Sequence, residues 1–219
     1  MSLELRKRII TSVFLFSLLF LMFSYSFVMI ISTIIIGLIS WIEFYALISK
    51  IVKNNNNKSQ ILRFLYKAFS LLYLSGLVFL IIFAKLLSLN LNTALLYSLL
   101  VAIMSDIGGL IIGKIFKGKK LSKISPNKTI SGSLGSFIFS LLLIPFFLKY
   151  FNNYNILSII FLTLAISLAS QLGDLSISLL KRKANVKDTS DLLPGHGGFL
   201  DRVDGIIFAI PVGLLIFSI

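Results

Sequence analysis

Seven long apolar stretches follow one another along this chain, near residues 9–25, 28–49, 69–88, 93–113, 130–148, 156–180 and 205–219. A bilayer core is about 30 Å thick and takes roughly 20 apolar helical residues to cross. Lipid offers no partner to an open backbone N–H or C=O, so only helices and closed barrels span it. These runs are continuous rather than alternating, which argues against a barrel. The 219 residues are 57% hydrophobic, against about 45–50% for an ordinary soluble domain, and mean hydropathy is +0.99. The sequence therefore predicts an all-α, polytopic integral membrane protein of about seven transmembrane helices.

The charges test that layout. With the N-terminus in the cytoplasm, the tail and the loops 50–67, 114–128 and 181–204 fall on the inner side. They hold 3, 5, 6 and 5 Lys or Arg, leaving only Lys85 and Lys149 outside, as the positive-inside rule requires. The formal charge of +13 suits anionic lipid head groups or phosphorylated substrates. Nucleic acid fits poorly as a partner, because the basic residues sit in short loops between apolar spans. There is no cysteine, which excludes disulfide and thiol chemistry. Arg6-Lys7-Arg8 before an apolar run has the look of a signal peptide. The second apolar stretch follows at once, so the expectation is an uncleaved helical hairpin.

Composition changes near residue 90. Residues 1–90 are Leu-, Ile- and Phe-rich and read as N-terminal transmembrane anchor helices; 91–219 gather the aspartates and most glycines and read as the working core. Asn54 to Asn57 form a low-complexity tract with no assigned function. Of eight acidic residues, Asp188, Asp191, Asp201 and Asp204 fall within one short segment, beside Lys181, Arg182, Lys187, Arg202 and the single histidine, His196. Carboxylates and lysines so gathered in a membrane protein point to a metal and phosphates.

Each constellation has a bland reading beside the functional one. Asp106 sits within an apolar span, where an ionised group costs about 2.5–3.5 kcal/mol; with Gly109 and Gly113 at i+3 and i+7 it marks either a polar cavity or close helix packing. Lys117 to Lys123 read as topogenic. Lys128 follows Ser125-Pro126-Asn127 and precedes Thr129 and a small-residue helix start, an arrangement that offers backbone N–H groups to an anion. Asp174, Ser178 and Lys181 share a helical face, as a neutralised pair or as acid for cation and base for phosphate. Pro194-Gly195-His196-Gly197-Gly198 cannot be regular helix, and its glycines allow a ligand close approach. Asp201 and Asp204, at i and i+3, face one way if the last helix begins there, and such oxygens suit Mg²⁺. His196 lacks a second His or a Cys and does not indicate zinc; its expected role is to orient a phosphate.

Taken together, Ser178 with Lys181-Arg182, Lys187-Asp188, Pro194 to Gly198, and Asp201-Arg202-Val203-Asp204 resemble the signature of the phosphatidate cytidylyltransferase (CDP-diacylglycerol synthase) family. Gln171-Leu172-Gly173-Asp174-Leu175 and Ser125-Pro126-Asn127-Lys128-Thr129 also look like family elements. Three positions depart from the pattern: Ile177 and Ser131 stand where an acid is usual, and Leu110 where an aromatic is. The chain is also shorter than most members.

The resemblance implies transfer of CMP from CTP to phosphatidic acid, giving CDP-diacylglycerol and pyrophosphate. It implies a metal site at Asp174 and Asp201, with Asp204 beside them, holding Mg²⁺; a second metal ion stays open. Lys128, Lys181 and Arg202 are expected to stabilise charge at the reacting phosphorus and on pyrophosphate. Ser125, Thr129, Ser178, Arg182, Lys187, Asp188, His196, Gly197, Gly198 and Asp106 are expected to contact substrate. Partners are CTP, phosphatidic acid and membrane lipids, with a homodimer suggested by family members. The expected location is the bacterial inner membrane, active site facing the cytoplasm. The rivals are a CTP-using membrane lipid transferase or kinase with another acceptor, an ion-coupled transporter and an inactive relative.

Overall fold

The computed structural model describes residues 3–52, 56–87, 89–122, 125, 128–152 and 154–217. Asn54, Asn55, Lys123, Pro126 and Asn127, named above, lie outside them. The helices are α1 (Leu3–Ser24), α2 (Ser26–Ile51), α3 (Asn57–Leu87), α4 (Leu89–Phe116), α5 (Ile130–Leu141), α6 (Ile144–Phe147), α7 (Ile156–Lys183), α8 (Leu200–Val203) and α9 (Ile206–Phe217), with a short 3₁₀ turn at Leu148–Tyr150. Among the described residues there is no β-strand, only two isolated bridges. The all-α membrane architecture is what the apolar runs demanded.

Among the described residues six helical stretches are long and apolar enough to cross a bilayer: Leu5–Ser24, Ser26–Ile51, Asn57–Leu86, Leu91–Phe116, Ile130–Tyr150 and Ile156–Lys183. The seventh apolar stretch forms α9, whose 12 residues rise only about 18 Å at 1.5 Å per residue. The fifth is interrupted. Pro145 has no N–H to donate and crowds the carbonyl four residues earlier; α5 ends at that residue, Leu141, and α6 starts afresh after a two-residue turn. Between α1 and α2 a single extended residue, Tyr25 (φ −124°, ψ 115°), makes the hairpin bend.

The chain divides into two compact units, Met1–Leu86 with Leu180–Val203, and Leu87–Leu179 with Asp204–Ile219. The second is organised on α4. Tyr97, with no exposed surface, shares a 2.6 Å hydrogen bond with Thr163 and meets the rings of Phe147 and Phe151 at 4.9 and 5.1 Å. A run of buried serines continues from it: Ser136 donates to the Ser105 carbonyl (2.7 Å) and Ser167 to the Ser105 hydroxyl (3.0 Å). Apolar side chains gain little from leaving lipid for one another, so membrane helices associate through small residues and buried hydroxyls.

Glycine sets the α4–α5 contact. A Cβ on Gly135 would lie 2.4 Å from Ile112 Cβ and 2.7 Å from the Gly108 carbonyl, and one on Gly108 would lie 2.5 Å from the Gly135 carbonyl. The two backbones touch, with no room for a methyl group. Gly135→Ala should therefore destabilise the protein by about 1–3 kcal/mol through overpacking, read as a lower thermal midpoint in detergent. Gly76→Ala, where nothing lies within 4 Å, should raise it slightly through helix propensity.

Candidate functional site

In the first unit the glycine-rich segment is a compact loop hung from the end of α7. Asn185, in the left-handed region (φ 55°), ends the helix as residues past a helix C-terminus commonly do. Leu193 to His196 form a tight turn, the His196 N–H donating to the Leu193 carbonyl at 2.8 Å. Pro194 occupies the position whose φ proline presets, and Gly195 (φ 77°) the next, which calls for positive φ in a type II turn. Gly197 (φ 81°) closes the loop, its carbonyl accepting from the Leu193 N–H at 2.8 Å.

Asp201 is the hub of this loop. Its Oδ1 accepts from Lys181 Nζ (2.6 Å); its Oδ2 accepts from the Thr189 N–H (2.8 Å), the Thr189 hydroxyl (3.0 Å) and the Gly198 N–H (3.0 Å). A carboxylate oxygen has two lone-pair sites: Oδ2 is fully engaged by its three donors, whereas Oδ1 meets Lys181 alone. Burial by itself would raise the Asp201 carboxyl; the Lys181 hydrogen bond, the two backbone N–H groups and the lysine charge outweigh it and hold the group below its ordinary value. Arg202 donates twice, through Nε and Nη2, to the His196 carbonyl (3.1 and 2.7 Å), tying the tip of the loop to α8. His196 Nε2 lies 3.3 Å from the Ser12 hydroxyl, and its Nδ1 is buried without a hydrogen-bond partner among the described residues.

A cavity of about 780 Å³ opens on this loop, lined by Lys7, Arg8, Lys187, Asp188, Asp191, Leu193 to Gly197 and Arg202. Of the expected contact residues, Lys187, Asp188, His196 and Gly197 thus meet at one place, together with Arg202, the expected charge stabiliser. Gly198 is buried beneath, where a Cβ would lie 2.0 Å from Thr189 Oγ1. Arg182 is exposed on the last turn of α7.

The second unit holds the other expected residues. Lys128 pairs with Asp174 Oδ2, and Ser178 donates to Asp174 Oδ1 at 3.2 Å. The shared helical face of Asp174 and Lys181 does not yield an ion pair: Lys181 takes Asp201 and Asp174 takes Lys128. Thr129 caps α5, its hydroxyl accepting from the Gly132 N–H at 3.0 Å, and Ser125 accepts from the Lys128 N–H at 3.1 Å. Asp106 is exposed on α4, and Gly109 and Gly113 pack against α5. The last helix does not start as one piece at Leu200. α8 stops at Val203, and Asp204 and Gly205 form a turn in which Asp204 Oδ1 accepts from the Gly205 N–H (2.9 Å). A Cβ on Gly173 would lie 2.6 Å from the Asp204 carbonyl, so the residue before Asp174 abuts the Asp204 backbone.

Sequence reading passed over three contributors. Lys7 and Arg8 were counted for topology but line the cavity. Glu43, on α2 and only 4% exposed, accepts from Thr189, Ser190, Phe199 and Leu200. An acid amid an apolar span was the available signal, the same one that singled out Asp106.

Because the Asp201 pKa is depressed on folding, its bonds stabilise the loop fully above the ordinary value of 3.8 and are lost as pH falls through the lower folded value. Amide exchange over 186–199, corrected for intrinsic rates, should be slow at pH 7 and accelerate below about pH 3.8. Asp201→Asn should raise it roughly tenfold or more at pH 7, since bonds to a charged group contribute about 1.5–3 kcal/mol.

The sequence profile described as the Cytidylyltransferase family matches residues 2–219. The protein named phosphatidate cytidylyltransferase of Staphylococcus aureus (strain COL) is 43% identical over 121 residues, which are 54% of this chain and 46% of that protein. The protein of the same name from Haemophilus influenzae is 41% identical over 123 residues, 53% of this chain and 43% of its own length. The matched stretch is thus under half of each relative. With the profile running from one end to the other, this chain belongs to the cytidylyltransferase family.

Proposed function

We propose that this protein is a phosphatidate cytidylyltransferase, forming CDP-diacylglycerol and pyrophosphate from CTP and phosphatidic acid. The observation that carries the reading is the cationic cavity on the glycine-rich loop, where Lys7, Arg8, Lys187 and Arg202 converge. In the reaction an oxygen of the lipid phosphate attacks the α-phosphorus of CTP, and the bond from that phosphorus to the pyrophosphate oxygen breaks. Both reactants are anions, so the protein's task is to neutralise charge and hold the groups in line. The cavity's cations, with a carbonyl-anchored Arg202 among them, are suited to the phosphates. Lys128 and Lys181, each held by a carboxylate, are preplaced charges that can turn to phosphate. The positive-inside pattern supports a cytoplasmic face for this chemistry, in a bacterial inner membrane.

A divalent cation would supply further charge neutralisation at the phosphates. Among the described residues no three Asp, Glu or His side chains form a group able to hold one. The donors themselves are of the right kind, hard carboxylate oxygens that suit Mg²⁺. Asp174 and Asp204 would hold it, since Gly173 abuts the Asp204 backbone, and Lys128, now paired with Asp174, would then be free for phosphate. A ligand role for Asp201 requires that Lys181 first release it.

Purified protein in mixed micelles should convert radiolabelled CTP and phosphatidate to a labelled lipid, and chelation should abolish the signal. Asp174→Asn and Lys128→Met should each lower the rate about 10²–10³-fold, the usual cost of removing one electrostatic contributor, while both variants still insert in membranes. Label appearing in a polyprenol and not in phosphatidate would replace this reading with a transferase of another acceptor.

A further inference from the structure

We propose that Glu43, in the middle of α2, is the positioning residue that fixes the glycine-rich loop and, through it, Asp201. Its carboxylate is withdrawn from solvent, and among the described residues no cation pairs with it. All four of its partners are neutral donors from the two ends of the loop. Oε1 accepts from the Ser190 hydroxyl (2.6 Å) and the Phe199 N–H (3.1 Å), Oε2 from the Thr189 hydroxyl (2.8 Å) and the Leu200 N–H (2.8 Å). One side chain from an apolar helix therefore closes the base of a loop that supplies none of the carboxylate itself. A buried charge without such donors would be strongly unfavourable, so loop and glutamate hold each other in place.

The link to Asp201 runs through Thr189. Its hydroxyl lies 2.8 Å from Glu43 Oε2 and 3.0 Å from Asp201 Oδ2. A hydroxyl has a single hydrogen to give, so the two carboxylates divide one donor and the position of each depends on the other. Gly198 seals the arrangement, since a Cβ there would lie 2.5 Å from Glu43 Oε2. Glu43 touches no substrate in this scheme. It acts by setting where Asp201, and hence Lys181 and the following Arg202, stand, and its effect on turnover rests on the cytidylyltransferase reading.

The test uses the full-length protein in micelles with Glu43→Gln, Glu43→Asp and Ser190→Ala. Amide exchange over 186–199 reports the loop directly, with no need of activity, and exchange over 130–141 serves as the internal control for folding. Glu43→Gln replaces an acceptor oxygen by a donating NH₂. It should raise loop exchange at least tenfold, leave 130–141 unchanged, and lower kcat for lipid labelling more than tenfold with little change in KM for CTP. Glu43→Asp should recover part of both. Ser190→Ala, which removes one donor at the loop's rim, should give the same pattern more weakly, and should add little on top of Glu43→Gln. If Glu43→Gln does not fold, Ser190→Ala carries the test alone. Unchanged loop exchange would overturn the proposal, as would faster exchange with kcat intact. Faster exchange in variants of a protein whose unaltered form labels no lipid would leave Glu43's hold on the loop standing and remove the proposed reaction instead.

Discussion

A carboxylate taken out of water must be met by donors or positive charge, and in this chain that requirement organises the loop on which the functional argument rests. Asp201 gathers a lysine, a hydroxyl and two backbone N–H groups; Glu43 gathers two hydroxyls and two backbone N–H groups. A loop with three glycines, Gly195, Gly197 and Gly198, has high conformational entropy to lose, and little apolar core of its own, Leu193 aside, offsets that loss. The two carboxylates replace the missing core. Each fixes several residues at once, and because Thr189 serves both, the loop's geometry is specified twice.

The second unit solves a different problem with different means. Its helices have little to gain from apolar contact, because lipid surrounds them, so close backbone approach supplies the packing. Gly108 and Gly135 meet across α4 and α5, and buried hydroxyls fill the remaining polar needs. Gly109 and Gly113, the glycines that share a face with Asp106 in the sequence, also pack against α5 residues, Ser136 and Gly132 respectively. Small residues near an intramembrane acid are therefore weak evidence for a cavity until the facing helix is known.

The helical membrane class was legible because it follows from length and hydropathy alone. Helix number was less so. The Asp204–Gly205 turn delays α9 to Ile206, and Pro145 splits the fifth stretch, facts that depend on where a helix is interrupted rather than on how apolar it is. The loop residues could be read as a group from their density along the chain, whereas their pairing could not. Helical spacing put Asp174 beside Lys181, but Lys128 and Asp201, distant in sequence, captured them. Glu43 was missed for the same reason. Its partners lie some 150 residues away, and no local pattern announces a contact of that range.

The charge balance of these pairs bears on the proposed phosphate transfer. Lys181 beside Asp201 and Lys128 beside Asp174 are each close to neutral as pairs, so neither lysine stands as an isolated charge near the membrane. Under the proposed reaction an arriving phosphate would compete with the carboxylate for the same ammonium group. Holding each lysine on an acid would lower its affinity for stray anions until a substrate arrives. Arg202 is stored differently, on a neutral carbonyl, and keeps its full charge available to the cavity. In the proposed reaction Lys181 and Lys128 are thus the cations that a phosphate would have to win from a carboxylate, whereas Arg202 stands with Lys7, Arg8 and Lys187 already lining the cavity.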